Sequence, residues 1–251
     1  MSHPQSSAEP EHDERNALLR SLEAHHYRAL AQHLDEVLLR PGDILVEPGQ
    51  RPSHVYFPQS GVISIVAHFE GGGAVEVGTI GWEGMAGIPV YLGVGTSPYR
   101  VIMQVEGQVR RMPVDAFERA IEEIPGFDER IAEFVDAYLM QVSQTAACNR
   151  MHDLAQRAAR WLLITHDRVD GDTFALTHEF LAIMLGVRRA GVSEAAAELQ
   201  RKGAIRYSRG RVTVTDRSIL TRESCECYAV VRARFDASRR EPMSHPQLAA
   251  G

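Results

Sequence analysis

The sequence predicts an α+β protein: an N-terminal antiparallel β-roll of the jelly-roll kind, one long helix, and a small helical unit closed by a β-hairpin. Three observations carry this. Between Leu38 and Met112, short β-branched runs alternate with glycine and proline turn signals. From Pro125 to Arg150 apolar residues recur at steps of three and four, with no glycine after Gly126 and no further proline. In "MLGVRRAGVSEAAAELQRKGAI" (Met184 to Ile205) an apolar run stops at a glycine, two arginines follow, and an amphipathic pattern resumes.

Composition frames these elements. With 251 residues, 44 % of them hydrophobic, the chain can bury one large core or two modest ones. The opening "MSHPQSSAEPEHDER" reads as a polar, disordered tail over 1–16, without the charged-then-apolar pattern of a secretory signal. The best uncharged stretch, Gly84 to Tyr99, contains Pro89 and Pro98 and cannot span a membrane. The expectation is a cytoplasmic protein with no membrane partner. Three cysteines, Cys148, Cys225 and Cys227, are too few for a disulfide framework and lack CxxC pairs.

The β-roll is expected over 17–125, with its helical content confined to the flank around Asn16 to Leu34. Within it, Glu70-Gly71-Gly72-Gly73 joins "VISIVAHF" to "AVEVGTI" as a hairpin connection. The long helix occupies 126–152. Ile131, Val135, Tyr138, Val142, Thr145, Asn149 and His152 make an a/d stripe, which reads either as packing within its own domain or as a homodimer seam. In the second reading Ile131, Val135, Tyr138 and Val142 supply the apolar contacts and Asn149 the polar residue that fixes register.

A helical unit over 153–221 follows, then a C-terminal helix and polar tail over 222–251. Thr177 suits the N-cap of a helix from His178 to Leu185, with Glu179 favourable to its dipole. Gly186 makes the turn, and the next helix buries Val192, Ala195 or Ala196, and Leu199. Two short helices on a three- to four-residue turn form a helix-turn-helix, whose second helix enters the major groove of double-stranded DNA by its N-terminus. Arg188 and Arg189 stand there, and an arginine can pair bidentately with guanine.

Between Gly186 and Thr213 seven basic residues face two acidic ones, on a chain of net charge −6. Arg206, Arg209 and Arg211 sit on the hairpin "IRYSRGRVTVT", where a wing would cover a phosphate backbone. Thr177, His178, Ser193 and Glu194 complete the candidate DNA-binding set. Gly191 inside the second helix is read either as tolerated by packing or as allowing closer approach to DNA. Asp216 is the expected N-cap of the last helix.

A glycine-rich roll, a long helix and a winged helix-turn-helix, in this order, resemble the Crp/Fnr family of bacterial transcription regulators over Leu19 to Leu220. The match is strongest along "LTHEFLAIMLGVRRAGVSEAAAELQRKGAI". The resemblance implies homodimers on two-fold operators, contact with RNA polymerase, and no enzymatic activity. Arg189 falls on the family's base-reading arginine. Ala190 falls where many members carry a glutamate and Glu194 where some carry a second arginine, so a different half-site is expected.

The resemblance also places an effector pocket near "GTIGWEGMAGIPVYLGVGTSPYR", at Gly81, Trp82, Glu83, Gly84 and Met85, with Arg100 as the substitute for a missing phosphate-binding arginine. Ser97 and Pro98 stand where an Arg-Ser pair holds the phosphate in cyclic AMP-binding members, so loss of cyclic AMP binding is expected. The mostly apolar surroundings suit a small apolar or zwitterionic effector, or a filled core; its identity stays open. No cofactor and no metal are expected. His25, His26, His54 and His68 are the histidines from which a haem ligand could come. The alternative to a cyclic-nucleotide-type sensor is a metal- or redox-responsive protein using Cys148, Cys225 and Cys227.

Overall fold

The computed structural model describes residues 14–238. Its N-terminal flank is more ordered than the sequence implies. Asn16 caps α1 (Ala17–Arg20) by accepting from the Leu18 and Leu19 amides, and its own side-chain amide donates to the carbonyls of Pro58 and Gly84. Glu14 is buried, accepting from Tyr27 and Arg110. The expected disordered tail therefore does not extend over 14–16; residues 1–13 and the end of the polar C-terminal tail lie outside the described residues.

After α2 (Ala24–Ala31), the roll is built from β1 (Asp35–Leu39), β2 (Ile44–Val46), β3 (His54–Pro58), β4 (Val62–His68), β5 (Ala74–Ile80), β6 (Arg100–Val105) and β7 (Gly107–Pro113). The orders are β1-β7-β3 and β2-β6-β4-β5, all antiparallel. The glycine-rich connection closes the β4–β5 hairpin as expected, pairing His68 with Ala74. A four-residue helix, α3 (Ile88–Tyr91), interrupts the roll where only turns were expected, with Pro89 at its start.

Helix α4 (Val114–Glu123) leads to α5 (Phe127–Met151), of 25 residues. The C-terminal unit follows as α6 (Leu154–His166), β8 (Thr173–Ala175), α7 (His178–Leu185), α8 (Arg189–Arg201), β9 (Ile205–Ser208), β10 (Arg211–Val214), α9 (Arg217–Glu223) and α10 (Cys227–Ser238). Strand β8 extends the wing to three strands in the order β8-β10-β9, and the last helix divides at Ser224. Three residues carry too little periodicity to be read as a strand before β10 is there to pair with them.

Two cores result. One joins the roll to α5 through Phe57, Phe117, Phe127 and Ile131; the other joins Val62, Val66 and Val105 of the roll to Trp161, Leu162 and Leu181 of the C-terminal unit. The stripe on α5 is committed to the first. Ile131, Val135 and Tyr138 are buried inside this chain, where β5 and α10 cover them, and Phe235 of α10 lies 6.5 Å from Phe134. A seam through those three residues is thus ruled out by their own protomer. Val142 is half-buried and Asn149 exposed. The open strip of α5 is Ala132, Leu139, Ser143 and Ala146, with Leu139 59 % exposed.

Candidate nucleic-acid interface and sensor region

The helix-turn-helix forms as its local chemistry dictates. The Thr177 hydroxyl accepts from the Phe180 amide at 3.1 Å, and Gly186 ends α7 at φ +64°. That left-handed conformation is costly for a residue with a Cβ. A Cβ there would also lie 2.8 Å from Val75 of β5, so the turn is seated against the roll. Helix α8 buries Val192, Ala195, Ala196 and Leu199 and exposes Arg188, Arg189, Ala190 and Glu194. Gly191 faces inward: a Cβ would stand 2.9 Å from Leu154 of α6, so its role is close helix–helix packing and not approach to DNA.

His178 and Ser193 are used inside the motif. His178 Nδ1 lies 3.0 Å from Ser193 Oγ and its ring 4.3 Å from that of Tyr207, tying α7 to α8 and the wing. Burial, followed by the nearby Arg189 charge, lowers the His178 pKa. The wing turns at Arg209 and Gly210 (φ +49° and +72°), with Arg206, Arg209 and Arg211 exposed. Lys202, in contrast, is held by Glu198 and Glu223, both at 2.6 Å.

The six expected pocket residues do not share one cavity. Glu83 accepts from Arg168, just beyond α6, at 2.5 and 3.3 Å, with both side chains nearly fully buried. Arg168 also donates to Thr79 Oγ1 at 2.6 Å, and Thr79 donates in turn to Gln141 of α5 at 3.0 Å. Gly81 is what admits this arginine, since a Cβ would fall 2.4 Å from its Cδ. Gly84 is pressed against Phe134, and Met85 is fully buried. Trp82 donates to the Asp167 carbonyl at 3.1 Å, and Arg100 donates to Glu47 at 2.8 Å.

The partner that captures Glu83 lies 85 residues away in sequence, beyond the reach of any local pattern. A cavity of about 310 Å³ opens nearby, lined by Ile65, Ile80, Leu92, Val94, Val101 and Tyr138 among others. It is almost wholly apolar and holds no carboxylate. Ile88, Pro89 and Leu92, which the sequence places in the effector region, do line it.

Two further groups link the roll to the C-terminal unit. Glu76 of β5, fully buried, accepts from Trp161 Nε1 at 2.9 Å and from Ser64 Oγ at 2.6 Å. Burial outweighs these bonds and raises its pKa to about 7. At the end of α5, Cys148, His152, Cys225 and Cys227 converge, their ligand atoms all within 4.8 Å of one another. The sequence distributes these four over a helix stripe and a distant helix start, and only the return of α10 onto α5 joins them. The four histidines considered for haem are not gathered; only His25 and His26 stack, at 3.9 Å.

Comparison with known proteins agrees with this geometry. The cyclic nucleotide-binding domain matches residues 36–123, and the Crp-like helix-turn-helix domain matches residues 156–223. No curated protein matches the chain. Among solved structures, a CRP-family transcriptional regulator from Thermus thermophilus is 20 % identical, with a TM-score of 0.63 over 75 % of this chain and 96 % of that one.

FixK2 from Bradyrhizobium japonicum is 14 % identical, with a TM-score of 0.61 over 76 % of this chain and 98 % of its own. The c-di-GMP-responsive global regulator of Xanthomonas campestris is 15 % identical, with a TM-score of 0.59 over 77 % and 100 %. A cyclic nucleotide-binding-type domain followed by a DNA-binding helix-turn-helix defines a transcriptional regulator. The chain belongs to the Crp/Fnr family. No helix among the described residues is long and apolar enough to cross a membrane.

Proposed function

We propose that the protein is a cytoplasmic homodimer that binds two-fold operators through α8 and the wing, with a sensor domain that no longer answers to cyclic AMP. In this reading the sensor spans 17–125, a dimerisation helix 126–152, and a winged helix-turn-helix 153–221. The observation that carries the reading is the open basic face. Arg188 and Arg189 stand exposed at the N-terminus of α8, and Arg206, Arg209 and Arg211 stand exposed on the wing. Glu194, also exposed on α8, would accept from a cytosine amino group. Contact with RNA polymerase follows from the family.

The loss of cyclic AMP binding rests on charge. Glu83 is neutralised by Arg168 and Arg100 by Glu47, and the neighbouring cavity is apolar. A phosphate there would have no free cation, whereas a small apolar effector would fit. Dimerisation rests on the open strip of α5 around Leu139. Genome-wide mapping of bound sites should return a palindrome, and cyclic AMP up to millimolar concentration should leave its affinity unchanged. Leu139→Glu should yield a folded monomer by sedimentation that no longer binds the palindrome. Saturable tightening of operator binding by cyclic AMP would overturn the sensor reading alone, and a Leu139→Glu chain that stayed dimeric would move the seam elsewhere.

A further inference from the structure

All three cysteines of the chain meet at one point, where α5 gives way to the C-terminal unit. Cys148 lies in the last full turn of α5 and His152 is its C-cap, so an i, i+4 spacing puts both on one face. Cys225 and Cys227 flank Glu226 where α10 begins. Cys148, Cys225 and Cys227 are 0, 3 and 1 % exposed. Cys148 Sγ is 3.5 Å from Cys225 Sγ, and Cys227 Sγ is 3.6 Å from His152 Nδ1. Tetrahedral zinc with Zn–S near 2.3 Å and Zn–N near 2.0 Å requires S···S edges of about 3.8 Å and S···N edges of about 3.5 Å, so each contact lies within a few tenths of an ångström of the needed length. We propose that Cys148, His152, Cys225 and Cys227 form a Cys3His site for a single Zn2+ ion, which fixes the C-terminal helix to the junction of the two domains.

The surroundings support a charged site over a patch of inert thiols. The other nitrogen of His152, Nε2, faces Glu226 at 3.2 Å, the carboxylate–histidine arrangement that orients a ligating imidazole and strengthens it as a ligand. Gln144 donates to Cys227 Sγ at 3.0 Å, as a hydrogen-bond donor to a thiolate would. Arg157 and Arg160, 9 and 4 % exposed, lie close enough to Cys148 to act on its charge, and the Nε of each has no hydrogen-bond partner.

Neither guanidinium forms an ion pair with a carboxylate among the described residues; Arg157 donates to the Leu185 carbonyl and Arg160 to Thr145. Arg160 also feels the buried Glu76 carboxyl, but the charges acting on Arg157 are those of Cys148, Cys225 and Arg160, so beside neutral thiols Arg157 would be an uncompensated buried cation. Three thiolates and Zn2+ carry a net charge of −1, which offsets one such cation. The donor set is soft, as zinc prefers, and four ligand atoms all within 4.8 Å of one another leave no room for the several irons of a cluster. Binding is ligand exchange: each thiol releases its proton to solvent, with no redox change.

The test uses the full chain, purified anaerobically with reductant, then stripped and reloaded with Zn2+ or Co2+. One ion per chain is expected, with the visible bands of tetrahedral Co2+ and a thiolate charge-transfer band in the near ultraviolet. Cys227→Ser should lose both bands. Glu226→Gln changes a side chain 74 % exposed, so its fold is safe, and it should weaken zinc affinity roughly 10-fold or more in chelator competition. A folded chain that takes up neither ion overturns the site. So does a Cys148–Cys225 disulfide in the metal-free protein from cells, which would make the pair a redox switch, or iron with acid-labile sulfide. Each readout is independent of DNA, so failure here leaves the operator-binding reading standing, and the converse holds.

Discussion

The face of α8 with the wing and the seam along β5 are both rich in charge, but the two handle it oppositely. On the first, five arginines stand in solvent with their partner still to arrive. On the second, Glu83, Arg168 and Glu76 are buried and bound to each other or to polar neighbours across the domain boundary. Open charges are held for an external ligand and should contribute little to stability. Enclosed charges hold the fold together and become costly when one partner is removed.

The strongest way to break this contrast is Glu83→Ala. It strands the Arg168 guanidinium in the seam and should cost about 3–5 kcal/mol, read as a drop in denaturant midpoint. Glu83→Met combined with Arg168→Met should recover most of that loss; equal destabilisation by both would mean the ion pair is not what matters.

Next comes Glu76. Its carboxyl has an unfolded value of 4.5 and a folded value of about 7. Between those pH values the folded chain keeps a proton that the unfolded chain has released. Its contribution is therefore fully present below pH 4.5 and lost by pH 7, a fall of roughly 3 kcal/mol. Glu76→Gln should flatten that slope and be the more stable protein at about pH 8. Parallel pH profiles for the two proteins would contradict the assignment.

On the open face the effects should be smaller and should not touch stability. Arg189→Ala should weaken operator binding by about 1–3 kcal/mol and relax preference at one base position, with an unchanged melting temperature. Smallest is Arg209→Ala at the wing tip. It should weaken specific and non-specific DNA alike and lower the salt slope by about one ion. Identical salt slopes and base preferences in the two variants would erase the distinction between reading and gripping.

The same contrast explains what could be read from sequence. Thr177 as cap, Gly186 as turn, and Val192 and Leu199 as inward residues all lie within some thirty residues, where spacing determines geometry. The seam is assembled from segments 85 residues apart, so Glu83 resembles a ligand group until Arg168 is placed beside it. The stripe on α5 was legible as a stripe, but not what covers it. Only the return of α10 turns Ile131, Val135 and Tyr138 inward, leaving Leu139 outside. For the same reason the sequence groups the three cysteines only as an alternative and leaves His152 on the helix stripe, since His152 and Cys227 are neighbours only after that return.

Strand β5 touches everything that matters: Ile80 lines the apolar cavity, Thr79 and Glu76 bond to α5 and α6 residues or their extensions, and Val75 receives the turn at Gly186. If a ligand and an operator each bias the two ends of this strand, they are thermodynamically linked. If a molecule in the cavity changes operator affinity by some factor, the operator must change that molecule's affinity by the same factor. Operator DNA can therefore serve as bait: an effector too weak to find on the free protein would bind more tightly, or release, when the cognate site is added.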